Sequence, residues 1–141
     1  INQLKSRLQG YVTDLFKSVS SNSAQPSAPQ FFMEAWANVL RSGQYHSVHS
    51  HPNAFWSGVY YVTGNPAPEQ KHPFSGKLEF LDPRPGAGLA YTEGTTLYGR
   101  FLLNPSPGQM VIFPGWLQHQ VHPFFGDEER ITIAFNVIVS K

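Results

Sequence analysis

Glycine and proline recur along the whole sequence, twelve of each, and they interrupt segments rich in aromatic and β-branched side chains. Each interruption supplies turn geometry or withholds a backbone donor, so many short strands joined by turns are expected. At 141 residues, division into two domains would leave halves too small to bury proper cores. We therefore expect one domain over residues 1–141, with a helix and loop in 1–30 and a β core in 31–141.

Residues 1–19 carry Leu4, Leu8, Tyr11, Val12, Leu15, Phe16 and Val19, a three-and-four spacing that lays an apolar stripe along one helix face. Residues 20–30 are a polar Ser/Pro stretch without periodicity and read as a loop. Residues 31–40 fit a short helix through Met33, Trp36, Ala37 and Leu40, but their aromatic content favours a strand. Further strands are expected at 44–51, 57–62, 77–81, 97–103, 110–113 and 130–139. They are separated by breaks such as 64–68 and 82–88. A leading helix followed by many short strands points to a β-sandwich or barrel with the helix packed outside.

Charge is scarce. Asp, Glu, Lys and Arg make up 13% of the chain, about half the usual share near 25%, and aromatic residues outnumber them. The net charge of +1 lacks the electrostatic footprint of a nucleic-acid or anionic-membrane partner. The apolar runs fall short of the roughly 20 residues a membrane span needs, and the opening residues form no signal-peptide pattern. A soluble, cytoplasmic protein is expected. Homodimerisation is left open, and the absence of an initiating Met suggests a fragment boundary. With no cysteine, a disulfide scaffold, a thiolate metal site and a cysteine nucleophile are all excluded, so a metal would need His, Asp or Glu.

Six histidines are present, and three of them crowd YHSVHSHPN at 45–53. On a strand, His49 and His51 leave the same face about 7 Å apart, so two imidazoles can converge on one metal at the strand end that Pro52 enforces. His46 has the other parity and is expected to point away. Downstream, His119 begins a short extended run closed by Pro123, with His122 on the opposite face. It would supply the third nitrogen of a facial metal site, two ligands coming from one strand and one from far along the chain. His72 sits in a turn and is expected to face solvent. Taken singly, each histidine fits a loop, core or surface role as well. Arg130 follows Asp127, Glu128 and Glu129 and opens the most apolar strand, ITIAFNVIV. Either it makes a surface ion pair worth roughly 0–1 kcal/mol, or its planar fork enters the interior and needs a carboxylate there.

Three blocks in order, HSHPNAFWSGVYYV, SGKLEFLDPR and PGQMVIFPGWLQHQVHPFFGDEERITIAFN, resemble the 2-oxoglutarate/Fe(II)-dependent oxygenases. The similarity lies in the branch that includes prolyl 4-hydroxylases, and more narrowly in a family known largely from bacterial and phage sequences. It spans about residues 31–139. The resemblance implies a mainly β, double-stranded β-helix (a jelly roll, cupin-like), here with the N-terminal helix outside. It implies Fe(II) as the metal and 2-oxoglutarate as cosubstrate. The early His-x-Asp/Glu pair of the family falls on His49 and His51, and the distal metal-binding His on His119. The basic residue that grips the far carboxylate of 2-oxoglutarate falls on Arg130, and a Tyr hydrogen-bonding the same carboxylate on Tyr61 rather than Tyr60. The implied activity is hydroxylation of an unactivated C–H bond of a small-molecule or peptide substrate, with release of succinate and CO₂.

One departure stands out: His51 occupies the position of the family's carboxylate ligand. Glu79 or Asp82 could lend a carboxylate from a neighbouring strand, but Leu78 and Phe80 set the inward parity and turn Glu79 outward. Two other readings remain open. A cupin-like metalloprotein with a three-His site and no use of 2-oxoglutarate would explain Gly43, His49, His51, Gly108, Pro114 and His119, though not Arg130. A non-catalytic β-sandwich would use Trp36, Trp56 and Trp116 as a contact surface.

Overall fold

Residues 31–40, ambiguous in sequence, form a ten-residue strand, β1 (Phe31–Leu40), because they pair along their whole length with β8 (Arg130–Val139). A continuous antiparallel ladder outweighs the weak helical spacing of Met33, Trp36, Ala37 and Leu40. The computed structural model describes residues 2–19, 30–67, 69–89 and 99–139. The other elements in this range are α1 (Asn2–Val19), β2 (His46–His49), β3 (Trp56–Tyr61), β4 (Leu78–Leu81), a short 3-10 turn (Ala87–Leu89), β5 (Arg100–Leu103), β6 (Met110–Pro114) and β7 (His119–Val121). The 20–30 loop, apart from Gln30, and the start of the strand expected at 97–103 lie outside the described residues. The segment expected at 44–51 is a strand only over its middle, and His51 lies beyond its end.

The strands form two four-stranded antiparallel sheets, ordered β1-β8-β3-β6 and β2-β7-β4-β5. Their facing surfaces make the jelly roll, with Phe113 of one sheet packed on Leu78 and Phe80 of the other. Alternation along β8 divides its side chains cleanly. Arg130, Thr132 and Ala134 face the second sheet, whereas Phe135 and Val137 face α1. On that outer side Leu8 and Val12 of the helix cover Phe135 and Val137, with Trp56, Met110 and Ile112 at the margin. The centre of the apolar stripe of α1 is therefore spent on the outside of the first sheet, whereas Tyr11 and Val19 remain exposed. Gly58 of β3 lies directly beneath the Phe135 ring, and a Cβ there would collide with it.

Register sets the interior out in rows. In the first sheet Trp36, Ala134 and Val59 lie side by side, and then Asn38, Thr132 and Tyr61; Arg130 is paired with Leu40 beyond them. In the second sheet His49, His119 and Phe80 make one row, and His46, Val121 and Leu78 the next. No helix among the described residues is long and apolar enough to cross a membrane.

Candidate metal centre

His49 closes β2 and stands opposite His119, the first residue of β7. His51 is brought back to them by a turn. Pro52 and Asn53 occupy its centre, Asn53 takes a left-handed φ of 68°, and the Ala54 N–H donates to the His51 carbonyl at 3.2 Å. Proline fixes the first central residue, and asparagine tolerates the positive φ of the second, so PN after His51 codes for this reversal. The His51 N–H donates to the Gly115 carbonyl at 2.8 Å, tying the turn to the end of β6. Gly115 approaches Ala54 so closely that a Cβ would strike the Ala54 backbone.

The result is a group of three imidazoles whose ligand nitrogens all lie within 4.8 Å of one another. Ring centroids are 4.3 Å apart for His49 and His119, and 5.2 Å for His51 with each of the other two. His119 is 3% exposed and is walled in by Phe113 and Phe80. Two of the rings are oriented from behind: His119 Nδ1 lies 2.9 Å from the Leu117 carbonyl, and His49 Nδ1 lies 2.7 Å from that of Ser47. A proton on each Nδ1 directs the Nε2 lone pair away from the backbone, the arrangement that metal-binding histidines use. Burial holds His119 down to about 4, reinforced by His49, His51 and His46 and opposed by the Leu117 carbonyl. Burial and then His49 also lower His51. These two rings are therefore neutral at neutral pH, the form that binds a cation. Three imidazole nitrogens gathered this closely are a donor set suited to a divalent transition metal.

No carboxylate joins the three-His group among the described residues. Glu79 is turned away from it as expected, but it is not exposed. It is buried on the far face of the second sheet, with its carboxylate 2.5 Å from His122 Nε2 and accepting from Gln120 Nε2 at 2.8 Å. His72, expected in solvent, is half-buried and stacks on Phe125 at 3.7 Å.

The same cavity continues from the histidines to Arg130 and Tyr61. It offers about 110 Å³, against the 10–15 Å³ one water needs, so a small organic acid can be accommodated. Arg130 is 2% exposed, donates through Nε to Asn65 Oδ1 at 2.9 Å, and keeps Nη2 buried without a partner. Among the described residues it makes no ion pair; the acidic run before it reaches Arg41 instead, through Glu129 at 2.6 Å. Tyr61 is 1% exposed and its Oη makes no well-formed hydrogen bond, although it lies beside the Arg130 guanidinium. Burial raises the phenol, an effect partly offset by the Arg130 charge and by the approach of its guanidinium to the phenol oxygen, so it stays protonated and can donate. Tyr60 alternates to the other face and does not line the cavity.

His46 corrects the sequence reading. It lines the cavity too, although alternation from His49 predicts the opposite face. A register shift between His46 and His49 sets one extra residue in β2 against β7, so Ser47 and Val48 are exposed and both histidines point inward. Its Nε2 is buried without a partner. Nothing local in the β2 sequence marks this bulge. Asn65, which anchors Arg130 from 65 residues away, was also missed, because long-range side-chain pairing leaves no spacing signal.

A family model described as "Putative 2OG-Fe(II) oxygenase" matches residues 34–136. Among solved structures, the chain is similar to an oxidoreductase of the 2OG-Fe(II) oxygenase family from Burkholderia pseudomallei, with 13% identity and a TM-score of 0.58. That match covers 89% of this chain and 51% of that one. It is also similar to a Pseudomonas putida prolyl-4-hydroxylase, with 17% identity and a TM-score of 0.55, over 77% of this chain and 52% of that one. The chain thus spans about half the length of each of these structures. A comparison with curated proteins gives no match.

Proposed function

The chain belongs to the 2OG-Fe(II) oxygenase family, and from that premise we propose that it is an Fe(II)- and 2-oxoglutarate-dependent oxygenase whose metal is held by His49, His51 and His119. The observation that carries this reading is the pairing of opposite binding chemistries in one cavity. Three imidazoles suited to a cation stand at one end, and at the other a buried guanidinium beside a phenol, with Nη2 and Oη both lacking a well-formed hydrogen bond. A buried charge without an acid partner costs several kcal/mol, which an anionic ligand would offset. A 2-oxo acid with a second carboxylate matches both ends.

When bound, iron and 2-oxoglutarate supply the oxidising chemistry, in which one O₂, one 2-oxoglutarate and one C–H group give succinate, CO₂ and the hydroxylated product. The residues of the chain bind and orient. Arg130 and Tyr61 donate to the distal carboxylate, fixing the keto acid's direction by charge-assisted hydrogen bonds. The Leu117 and Ser47 carbonyls hold His119 and His49 in position. Val59, Leu78, Val121 and Ala134 give the cavity apolar walls that limit water. Trp36, 38% exposed with its ring 6.1 Å from His51, forms part of the rim that a small-molecule or peptide substrate would cross.

The test is conversion of 2-oxoglutarate to succinate by anaerobically reconstituted protein on admission of O₂. Succinate formation that depends on iron and disappears in His119→Ala is expected. A protein that binds metal in the three-His group yet neither binds nor consumes 2-oxoglutarate would instead be a cupin-like metalloprotein, the reading favoured by the lack of a carboxylate in the group among the described residues.

A further inference from the structure

Three buried polar atoms in the cavity make no well-formed hydrogen bond: His46 Nε2, Tyr61 Oη and Arg130 Nη2. The family resemblance assigns a carboxylate-binding role at the positions of Arg130 and Tyr61, and none to His46. Accepting that the protein uses 2-oxoglutarate, we propose that His46 is a third anchor for its distal carboxylate, donating from Nε2 alongside Arg130 and Tyr61.

The placement rests on register. His46 stands opposite Val121, and Val121 opposite Leu78, whereas His49 stands opposite His119 and Phe80. His46 is thus one row away from the metal-binding row, while its ring centroid remains 6.3 Å from that of His49. A ligand extending from the histidine triad toward Arg130 passes this row. The inward orientation is obtained only through the bulge in β2, which exposes Ser47 and Val48 and breaks the ladder between His46 and His49. Bulges that re-aim a side chain collect beside functional sites. A buried donor left unsatisfied carries a penalty that a carboxylate oxygen removes. Burial, followed by His49 and then the Arg130 charge, favours the neutral ring, which donates a hydrogen bond without adding a second buried charge.

The proposal separates three donors with different chemistry: a fixed cation, a phenol and a neutral imidazole. Together they exceed what a monocarboxylic 2-oxo acid can use. Selectivity for the dicarboxylic acid should therefore depend on His46.

The experiment measures binding of 2-oxoglutarate and of 2-oxopentanoate, which lacks the distal carboxylate, to Mn(II)-loaded protein without O₂. Wild type, His46→Leu and His46→Gln are compared, and Mn(II) affinity is measured separately for each. Loss of a hydrogen bond to a charged group predicts that His46→Leu weakens 2-oxoglutarate about 10- to 100-fold. His46→Gln, which restores an N–H donor at similar reach, should recover most of that loss. Binding of 2-oxopentanoate should change less than about threefold in either variant. Equal weakening of both acids, unchanged 2-oxoglutarate binding in His46→Leu, or a large fall in Mn(II) affinity would each overturn the proposal, the last by making His46 a metal ligand. Failure of the wild-type protein to bind 2-oxoglutarate would overturn the functional reading itself.

Discussion

The guanidinium carbon of Arg130 lies 5.3 Å from the centroid of the Tyr61 ring, and the two side chains present Nη2 and Oη, both buried and without a well-formed hydrogen bond, to the cavity that also holds the histidine triad. The ring face offers the cation a weak attraction, and Asn65 takes one of its donors. Neither replaces an anion. The first sheet thus carries a charge that no acid among the described residues neutralises.

A trade between stability and binding follows at this position. Arg130→Met, which fills similar volume without charge, should raise the stability of the ligand-free protein by about 1–3 kcal/mol in denaturant titrations. The same substitution should weaken 2-oxoglutarate binding by tenfold or more while leaving metal affinity within a factor of about three. A variant that loses metal as well as cosubstrate would show that Arg130 supports the triad and not the acid.

The three-His group makes a separate prediction about position 51. His51→Ala removes one of three ligands and should weaken metal binding by more than a hundredfold. His51→Asp puts an anionic oxygen in the same turn, held by the Gly115 carbonyl and the Pro52–Asn53 reversal, and should retain metal within about tenfold of wild type. Metal titration monitored by calorimetry separates the two. Equal loss in both variants would mean that the turn brings a nitrogen, but not an oxygen, within reach of the ion.

Acid sensitivity of the metal-free protein follows from the buried imidazoles. His119 titrates near 4 when folded and near 6.5 when unfolded, so between these values the unfolded chain binds more protons. Stability contributed by this group is therefore complete above about 6.5, falls as the pH drops toward 4 and is flat below that. His46 and His51 are shifted in the same direction. Chemical denaturation between pH 7.5 and 4 should show a loss on the order of 3 kcal/mol from His119, most of it absent in His119→Gln.

Much of this architecture was legible in sequence where one residue type repeats without interruption. The run ITIAFNVIV gives β8 its full extent, and the spacing of Leu8 and Val12 gives α1 its buried stripe. The i, i+2 relation of His49 and His51 identified two members of the triad, although the reason they meet is a Pro-Asn turn after the strand and not strand parity. Parity failed at His46 because a bulge is fixed by how β2 meets β7, which the β2 sequence does not contain. Exposure failed at His72, and the burial of the outward-turned Glu79 left no signal, because neither strand periodicity nor turn chemistry says what folds over a sheet's outer face. There Phe74 packs on His122 at 5.4 Å, and Arg100 and Lys77 lie over the Phe74 ring.

Glu79 offers a way to separate fold from site. It is 3% exposed, and its carboxylate contacts His122 and Gln120 directly and Arg100 at 3.8 Å, all on the face of the second sheet turned away from the triad. Leu78 and Phe80, its neighbours on β4, fill the interior on the other side. Glu79→Gln keeps the shape but removes the charge that accepts from these donors, and should cost about 1–3 kcal/mol of stability. Glu79→Leu, which removes every acceptor, should cost more. In both variants metal stoichiometry should remain one ion per chain and 2-oxoglutarate affinity should stay within about twofold, because no part of the network enters the cavity. If Glu79→Gln lost the metal while keeping its stability, the carboxylate would have to reach the ion through a rearranged β4, and the three-His assignment would give way to one that includes Glu79.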